Sequence, residues 1–419
     1  MTPSPAWVHH LRYGKTDPRS HETSWNFRDL DHPLETVDIA GRALAAPALR
    51  TFLAEEFRRN AWYRRLQATL AAYRRIGDAG GWDPLAGGAS AIRPGTKDAR
   101  IPALAERLAV SGDLGDAGSY ANRDAMDATL EAAIRRFQAR HGLAADGIVG
   151  SATLAALNRP VEERILQLRL ARERARWVLD GVADDFVAVN IAGFRAFVVA
   201  GRRLVWETRV VVGRDQRQTP LFRDQLQYIV FNPGWTVPYS IATRDLLPQI
   251  KADPDWFASR DFSVRAQNGE TVDPASVDWQ SLTRGNFPYV LIQAPGPMNA
   301  LGQVKFMFPN EYAVYLHDTP SRELFAAAER AFSSGCIRVE KPLELAEILL
   351  RANGWDRSRI DAAVASGRTM TVHLAERRPI LLLYLTANVD PDGSVHFYRD
   401  IYDRDRRVAA ALDGPWRIP

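Results

Sequence analysis

The sequence contains a single cysteine, Cys336, among 419 residues. One cysteine excludes an intramolecular disulfide and any zinc site built on several thiolates. The chain also has little net charge, because 54 basic residues nearly balance 50 acidic residues. The two signs are interleaved, which is typical of a solvated surface and predicts no nucleic-acid interface. No apolar run approaches the roughly 18–20 residues of a membrane-spanning helix.

Metal and cofactor motifs are missing as well. The sequence has no His-x-x-His pair, no His-Glu-x-x-His pattern and no Gly-rich phosphate loop. These are the local patterns expected for zinc enzymes and nucleotide-binding enzymes. The sequence therefore predicts no metal and no cofactor.

Hydrophobic patterning divides the chain into three regions. Residues 1–100 predict a helical scaffold, with apolar residues at helical spacing over Pro47–Ile76. Residues 101–160 predict a small helical domain, in which Asp127–His141 forms a helix that ends at Gly142.

The third region, residues 161–419, begins with a helix. After this helix the spacing of the hydrophobic residues no longer follows a helical period. Runs of β-branched and aromatic residues follow, separated by turn residues. They predict a mainly antiparallel β domain and hence a multidomain α+β chain. Ala313–His317 is expected to be a strand and Ser321–Phe332 a helix. An Asp-rich insertion at about residues 244–288 is expected to form a lid.

Cys336 lies in the segment Ser333–Arg338. By residue type alone, a free cysteine is more often an inert core residue than a reactive one. Small polar residues precede this thiol, and Gly335 permits a close approach of the backbone to a ligand. Arg338, two positions later, is a cation that stabilises a thiolate or holds a carboxylate. These features favour a nucleophile.

A thiol nucleophile needs a base, and His317 is the candidate. It ends an apolar run and precedes the turn residues Asp318–Pro320. Spacing alone gives equal weight to a surface or capping histidine. Either Asp318 or a backbone carbonyl group is a suitable partner to orient the imidazole.

The segments Tyr315–Pro320 and Ser333–Val339, with His317 placed 19 positions before Cys336, resemble the L,D-transpeptidases that have a YkuD-type catalytic domain. The resemblance is closest to the large Gram-negative YcbB-like branch. Tyr228–Pro238 and Gly302–Asn310 are similar to the substrate-side segments of that domain. Many members have histidine at the position of Ser334, so His317 is left as the local base.

The middle region resembles a second family. Ile134–Gln138 and Asp146–Gly150 are similar to a helical peptidoglycan-binding domain. Leu11–Pro18 is similar to the N-terminal scaffold of the YcbB-like branch.

These resemblances imply a peptidoglycan L,D-transpeptidase. Cys336 would attack a tetrapeptide donor stem, release D-Ala and pass the acyl group to an amine, which forms a 3-3 cross-link. The implied partners are peptidoglycan stem peptides and glycan, with carbapenems as covalent inhibitors. Hydrolysis by the same site, as an L,D-carboxypeptidase, and a non-catalytic wall-binding scaffold are the alternatives.

Further site residues are expected around this pair. The oxyanion and supporting residues are Gly335, Ser334, Tyr315 and Asp318. The substrate-binding residues are Arg338, Trp235, Asn232, Met298 and Asn299, although Trp235 suits a core position equally well.

The implied substrate lies outside the cytoplasmic membrane, so a periplasmic location is expected. Met1–Pro5 lacks the charged and apolar regions of a secretory signal. An export segment upstream of this chain is therefore expected.

Overall fold

The computed structural model describes residues 5–22, 24–27, 33–56, 61–88, 90–120, 123–179 and 182–415. They fold into two compact units. One contains the described residues up to Val182, Asn190–Gly193 and those from Leu383 onward, and the other contains Ala183–Val189 and Phe194–Leu382. The first is mainly helical and the second is rich in β-strands, so the predicted α+β class is confirmed.

The helices, in chain order, are α1 Pro5–Tyr13, α2 Pro33–Ala45, α3 Leu49–Glu56, α4 Ala61–Asp78, α5 Ile101–Val110, α6 Ala128–Arg140, α7 Ser151–Leu157, α8 Val161–Leu179, α9 Tyr239–Ile241, α10 Leu247–Ala252, α11 Pro254–Ala258, α12 Pro342–Leu350, α13 Arg357–Ala365 and α14 Asp405–Asp413. The strands are β1 Phe186–Asn190, β2 Arg195–Ala200, β3 Arg203–Gly213, β4 Arg223–Phe231, β5 Trp235–Thr236, β6 Phe262–Ala266, β7 Thr271–Val272, β8 Tyr289–Gln293, β9 Val304–Met307, β10 Leu316–His317, β11 Ala331–Ser333, β12 Ile337–Val339, β13 Met370–Leu383, β14 Ala387–Val389 and β15 Val395–Phe397.

In the helical unit, α4 and α8 pack against each other. Leu66 and Leu70 of α4 are buried with Leu168 and Ala171 of α8, and Phe397 of the β14–β15 hairpin joins the same core. The leucines recur at helical spacing, which is why one face of each helix is apolar. Each fully buried leucine contributes roughly 1.5–3 kcal/mol. The structure thus groups α8 and the C-terminal segment with the helical unit.

A second core in the same unit is formed by α5, α6 and α7. The carboxylate of Asp127 accepts the N–H of Leu130 at 2.9 Å, which caps the start of α6. Gly142 follows the helix with φ +66°, a left-handed conformation suited to glycine at a helix end. The core also includes Ile92, which pairs with Val149. It therefore extends upstream of residue 101.

The β-rich unit contains a nine-stranded sheet in the order β11-β3-β12-β10-β9-β4-β13-β1-β2. Strand β2 also pairs with β3, so the sheet closes on itself. Strand β10 runs parallel to β12 and antiparallel to β9. These three neighbouring strands position the candidate site.

The predicted insertion is a folded substructure of this unit. Strands β5, β8, β6 and β7 form a separate four-stranded sheet. Its buried residues, together with those of α10 and α11, form a core of their own that includes Ile250, Phe257, Val264 and Leu291. The segment is therefore held by apolar packing and is not an irregular loop.

Two local predictions are wrong. Ser321–Phe332 forms a 3-10 turn at Arg322–Ala326 and then β11. Its backbone pairs with β3, since the N–H of Val212 donates to the carbonyl of Arg330, and this outweighs helix propensity. The predicted strand Ala313–His317 is shortened to β10, because Ala313 has φ +51°. The described parts of Pro47–Ile76 form α3 and α4, and residues 57–60 lie outside the described ranges.

Candidate active site

Strand pairing brings the candidate base and nucleophile to one face of the large sheet. His317 on β10 is in register with Arg338 on β12 and with Lys305 on β9. Tyr315 immediately precedes β10 and Cys336 immediately precedes β12. The three neighbouring strands and the residues just before two of them therefore supply the side chains of the candidate site.

The loop before the thiol is fixed by its own hydrogen bonds. The Ser333 hydroxyl donates to the carbonyl of Cys336 at 2.6 Å and accepts the N–H of Gly335 at 3.1 Å. The Thr219 hydroxyl donates to the carbonyl of Gly335 at 2.8 Å. Gly335 has φ +117°, a conformation that non-glycine residues rarely adopt. These bonds hold Cys336 at a turn, where its side chain remains partly exposed.

Tyr315 lies beside the thiol. Its phenol and its backbone N–H lower the pKa of Cys336, and the Trp235 side chain lowers the pKa of Tyr315. Burial outweighs that effect and raises the pKa of Tyr315, so the phenol keeps its proton and is available as a donor. Trp235 is thus a neighbour of Tyr315 at the site.

His317 is a buried neutral base. Its Nδ1 donates to the carbonyl of Asp318 at 2.5 Å, which leaves Nε2 as the unprotonated nitrogen. Burial, together with the nearby charge of Arg338, lowers the pKa of His317 to about 3. The imidazole is therefore uncharged at neutral pH. Of the two orienting groups predicted, the structure selects the backbone carbonyl.

The Asp318 carboxylate points elsewhere. It accepts the N–H of Gln303 at 2.9 Å and pairs with Arg322 at 2.9 Å. Burial raises the pKa of Asp318. Its role at the site is to fix the backbone that carries the carbonyl bonded to His317.

Opposing effects act on the thiol. Burial raises the pKa of Cys336 above its ordinary value. The hydrogen bonds from Tyr315 and the charges of Lys305 and Arg338 lower the pKa of Cys336, but less than burial raises it. The resting cysteine is therefore a protonated thiol, and its S–H lies 3.9 Å from the carbonyl of Ala313.

The remaining predicted residues are Ser334, Asn232, Asn299 and Met298. Ser334 accepts a hydrogen bond from Arg217 at 2.8 Å, and Arg217 also pairs with Asp245 at the start of the insertion. The Asn232 amide donates to the carbonyl groups of Ala363, Val364 and Arg368 at 3.0–3.2 Å.

Asn299 behaves like Asn232. Its amide donates to the carbonyls of Gln293 and Ala294 at 3.3 and 2.8 Å. Both asparagines therefore brace loops, whereas Met298 beside Asn299 is 41% exposed and available for contact. A groove of about 530 Å³ nearby is lined by Pro297, Asp318 and Arg322, among others, and not by the thiol or the imidazole.

Sequence reasoning missed Lys305, Ser333, Thr219 and Arg217 as parts of the site. One signal was present for Lys305, since it interrupts the apolar run of β9. Among the described residues, no three His, Cys, Asp or Glu side chains lie close enough to hold a metal. Nor does any helix of that part of the chain combine the length and the hydrophobicity needed to cross a membrane.

Comparison with known proteins adds two domain matches. Residues 184–371 match the family model YkuD, described as the L,D-transpeptidase catalytic domain. Residues 98–157 match PG_binding_1, a "putative peptidoglycan binding domain".

A "putative L,D-transpeptidase" of Haemophilus influenzae is 40% identical over 233 residues, which is 55% of this chain and 47% of that protein. The chain thus spans about half the length of the curated relative that it matches.

Two solved structures overlap weakly with the chain. The L,D-transpeptidase (Yku) of Stackebrandtia nassauensis is 13% identical, with a TM-score of 0.27, and covers 70% of this chain and 97% of its own. Residues 123-326 of the L,D-transpeptidase of Xylanimonas cellulosilytica are 16% identical, with a TM-score of 0.22, and cover 71% and 99%. At these TM-scores neither structure supports an argument about this chain.

Proposed function

We propose that this chain is a cysteine-dependent peptidoglycan L,D-transpeptidase, because residues 184–371 match the L,D-transpeptidase catalytic domain model and residues 98–157 match a peptidoglycan-binding domain model. The observation that carries the proposal is the group on one sheet face. A thiol beside the Tyr315 phenol shares that face with a neutral imidazole whose tautomer is fixed by a carbonyl group. This is the arrangement that acyl transfer through a thioester requires.

The first half-reaction forms the acyl-enzyme. Cys336 Sγ attacks the carbonyl carbon of the third residue of a tetrapeptide stem, and His317 Nε2 takes the thiol proton. The tetrahedral intermediate then breaks its C–N bond. The imidazolium returns the proton to the departing amine, D-Ala leaves, and a thioester remains on Cys336.

The negative oxygen of the tetrahedral intermediate needs donors. The N–H of Gly335 is already bonded to Ser333, so we assign the N–H of Cys336 and the Tyr315 hydroxyl to this role. A single donor of this kind lowers a barrier by roughly 3 kcal/mol. Gly335 then contributes by its backbone conformation, and Ser334 by its bond to Arg217.

The second half-reaction resolves the thioester. An acceptor amine from a second stem attacks the carbonyl, His317 takes its proton and returns it to the departing thiolate, and a 3-3 cross-link forms. Water in place of the amine gives a tripeptide, as in an L,D-carboxypeptidase. We assign the folded insertion to limiting the access of water, because Asp245 at its start pairs with Arg217, which also bonds to Ser334.

The helical domain at residues 98–157 supplies the wall-binding function. We propose that it holds glycan or stem peptide so that donor stems reach Cys336 at high local concentration. Both domain types act on peptidoglycan, which indicates a cell-wall location, and we propose the periplasm.

The test uses purified disaccharide tetrapeptide and mass spectrometry of the products. We expect release of D-Ala and formation of a tetrapeptide–tripeptide dimer by the unmodified chain, and neither product from Cys336→Ala. Tripeptide without dimer identifies the carboxypeptidase. Binding to isolated cell walls with no D-Ala release identifies the non-catalytic scaffold and contradicts the proposal.

Carbapenems give a second test, because they present an activated carbonyl to the same thiol. We expect one covalent adduct per chain, located on Cys336 by peptide mapping, which is unambiguous in a chain with one cysteine. An adduct that persists in Cys336→Ala contradicts the assignment of the nucleophile.

A further inference from the structure

Lys305 is an unusual residue for its position. It lies on β9 between Val304 and Phe306, both fully buried, and is itself only partly exposed. Burying an ammonium group costs free energy unless other groups compensate the charge. A lysine at this position therefore calls for an explanation from its surroundings.

Those surroundings are the candidate active site. The Lys305 ammonium lies 4.2 Å from the centre of the Tyr315 ring, within the range of a cation–π interaction. Lys305 is also in register with His317 on β10. Within the described ranges, no carboxylate lies within 4.0 Å of this ammonium. Burial lowers the pKa of Lys305, and the negative charge of a Cys336 thiolate raises the pKa of Lys305.

The groups that shift the pKa of Cys336 lie on or next to three strands. They are Tyr315, which immediately precedes β10, Lys305 on β9 and Arg338 on β12. Lys305 and Arg338 also lower the pKa of His317 on β10. Arg338 is itself influenced by Arg214 and Glu323. Of the two cations, Lys305 is the one that also packs on the Tyr315 ring.

We propose that Lys305 is a positioning residue of the active site, whose ammonium holds the Tyr315 ring with its hydroxyl on Cys336 Sγ and supplies positive charge that favours the thiolate. This role deepens the proposed function and rests on it, because the thiolate matters only if Cys336 is the nucleophile. A cation fixed beside a developing thiolate is compensated during attack, which explains why a partly buried lysine is retained here.

The test measures thiol ionisation without any substrate. The rate of Cys336 alkylation by iodoacetamide is followed by intact mass from pH 6 to pH 11, where the single cysteine makes the signal specific. Lys305→Met removes the charge and keeps the chain length. We expect the pH at which the alkylation rate of this variant is half-maximal to rise by about one unit. A less acidic thiolate is more nucleophilic, so the rate at pH 7 falls by a net factor of about three to four.

Matched variants separate charge from packing. Lys305→Arg keeps the cation and is expected to restore most of the shift, whereas Lys341→Met removes an exposed lysine and is expected to leave the midpoint unchanged. If Lys305→Met does not fold, as judged by its melting temperature, Lys305→Gln replaces it. Equal shifts in the Arg and Met variants, or no shift in either neutral variant, overturn the proposal.

Coupling to Tyr315 is tested by a double-mutant cycle. Because Lys305 acts partly through the phenol, the shifts of Lys305→Met and Tyr315→Phe are expected to add to more than the shift of the double variant. Strict additivity overturns the positioning role. An unchanged midpoint with a raised KM for tetrapeptide also overturns it, since that result makes Lys305 a substrate-binding residue. The alkylation result does not depend on D-Ala release, so failure of the proposed function is recognised separately.

Discussion

The lowered pKa of His317 and the raised pKa of Cys336 together predict how His317→Gln changes the reaction rate. Burial lowers the pKa of His317 to about 3 and raises the pKa of Cys336. The free enzyme therefore holds a neutral thiol and a neutral imidazole. Because the thiol pKa lies above its ordinary value, only a small fraction of Cys336 is thiolate at pH 7. Attack at neutral pH thus depends on His317 as a general base.

The magnitude follows from this dependence. Loss of a general base costs roughly 10²–10⁴ in rate, and we expect that loss in the acylation of His317→Gln by a carbapenem at pH 7. The variant still ionises its thiol as the pH rises. Its rate should therefore increase about tenfold per pH unit, whereas the unmodified chain stays flat from pH 5 to the pKa of the thiol. The deficit is expected to shrink steadily and to be small near pH 10.

The assay is the time course of adduct formation by intact mass, at one-unit steps of pH. His373→Gln is the matched control, because it makes the same substitution at an exposed histidine of β13. A constant deficit at every pH indicates structural damage and contradicts the general-base role. An acid limb near pH 6 in the unmodified chain would falsify the pKa order, since it requires a resting thiolate–imidazolium pair.

Three further predictions follow from the same geometry. Tyr315→Phe removes a donor to the sulfur and the oxyanion, so kcat for D-Ala release is expected to fall about 100-fold with the melting temperature preserved, and an unchanged kcat argues against that role. Buried His317 is neutral in the folded chain, so its contribution to the free energy of unfolding is fully present above about pH 6.5. Between pH 6.5 and pH 3 the free energy of unfolding should fall by about 1.4 kcal/mol per pH unit as the pH drops. Thermal unfolding of His317→Gln should lack that dependence on pH. Gly335→Ala is expected to cost about 1–2 kcal/mol from φ +117° alone, because its Cβ has space. Gly302→Ala should cost more, because its Cβ collides with the Asp318 carboxylate, and equal melting temperatures contradict this.

The proposed nucleophile and base could be assigned from the sequence because they lie in short segments with distinctive neighbours. Cys336 follows three small residues, and His317 ends an apolar run. Their proximity depends on the parallel pairing of β10 with β12, which connects segments separated by an intervening 3-10 turn and strand. The resemblance to a known family, not the local pattern, indicated that the two residues act together.

The supporting residues could not be assigned in this way. The contribution of Lys305 requires the antiparallel register of β9 with β10, and that of Trp235 requires its proximity to Tyr315. Both are long-range contacts that no local period encodes. Asn232 and Asn299 show the opposite error, because a polar residue in a loop suits substrate binding or backbone bracing equally well, and the structure uses both amides for bracing.

The electrostatics of the site also bear on the kind of substrate that it accepts. Lys305 and Arg338 place two cations near the thiol, and none of the groups that shift its pKa is a carboxylate. Arg338 Nε is buried and has no hydrogen-bond partner among the described residues. An unpaired buried guanidinium nitrogen is costly, so a ligand that supplies an anionic oxygen gains the energy of satisfying it. A stem peptide carries carboxylates at its diamino acid and at its terminal D-Ala. The same two cations that favour the thiolate therefore favour the anionic donor proposed above, and in that proposed reaction the loss of D-Ala removes one of its carboxylates before the acceptor enters.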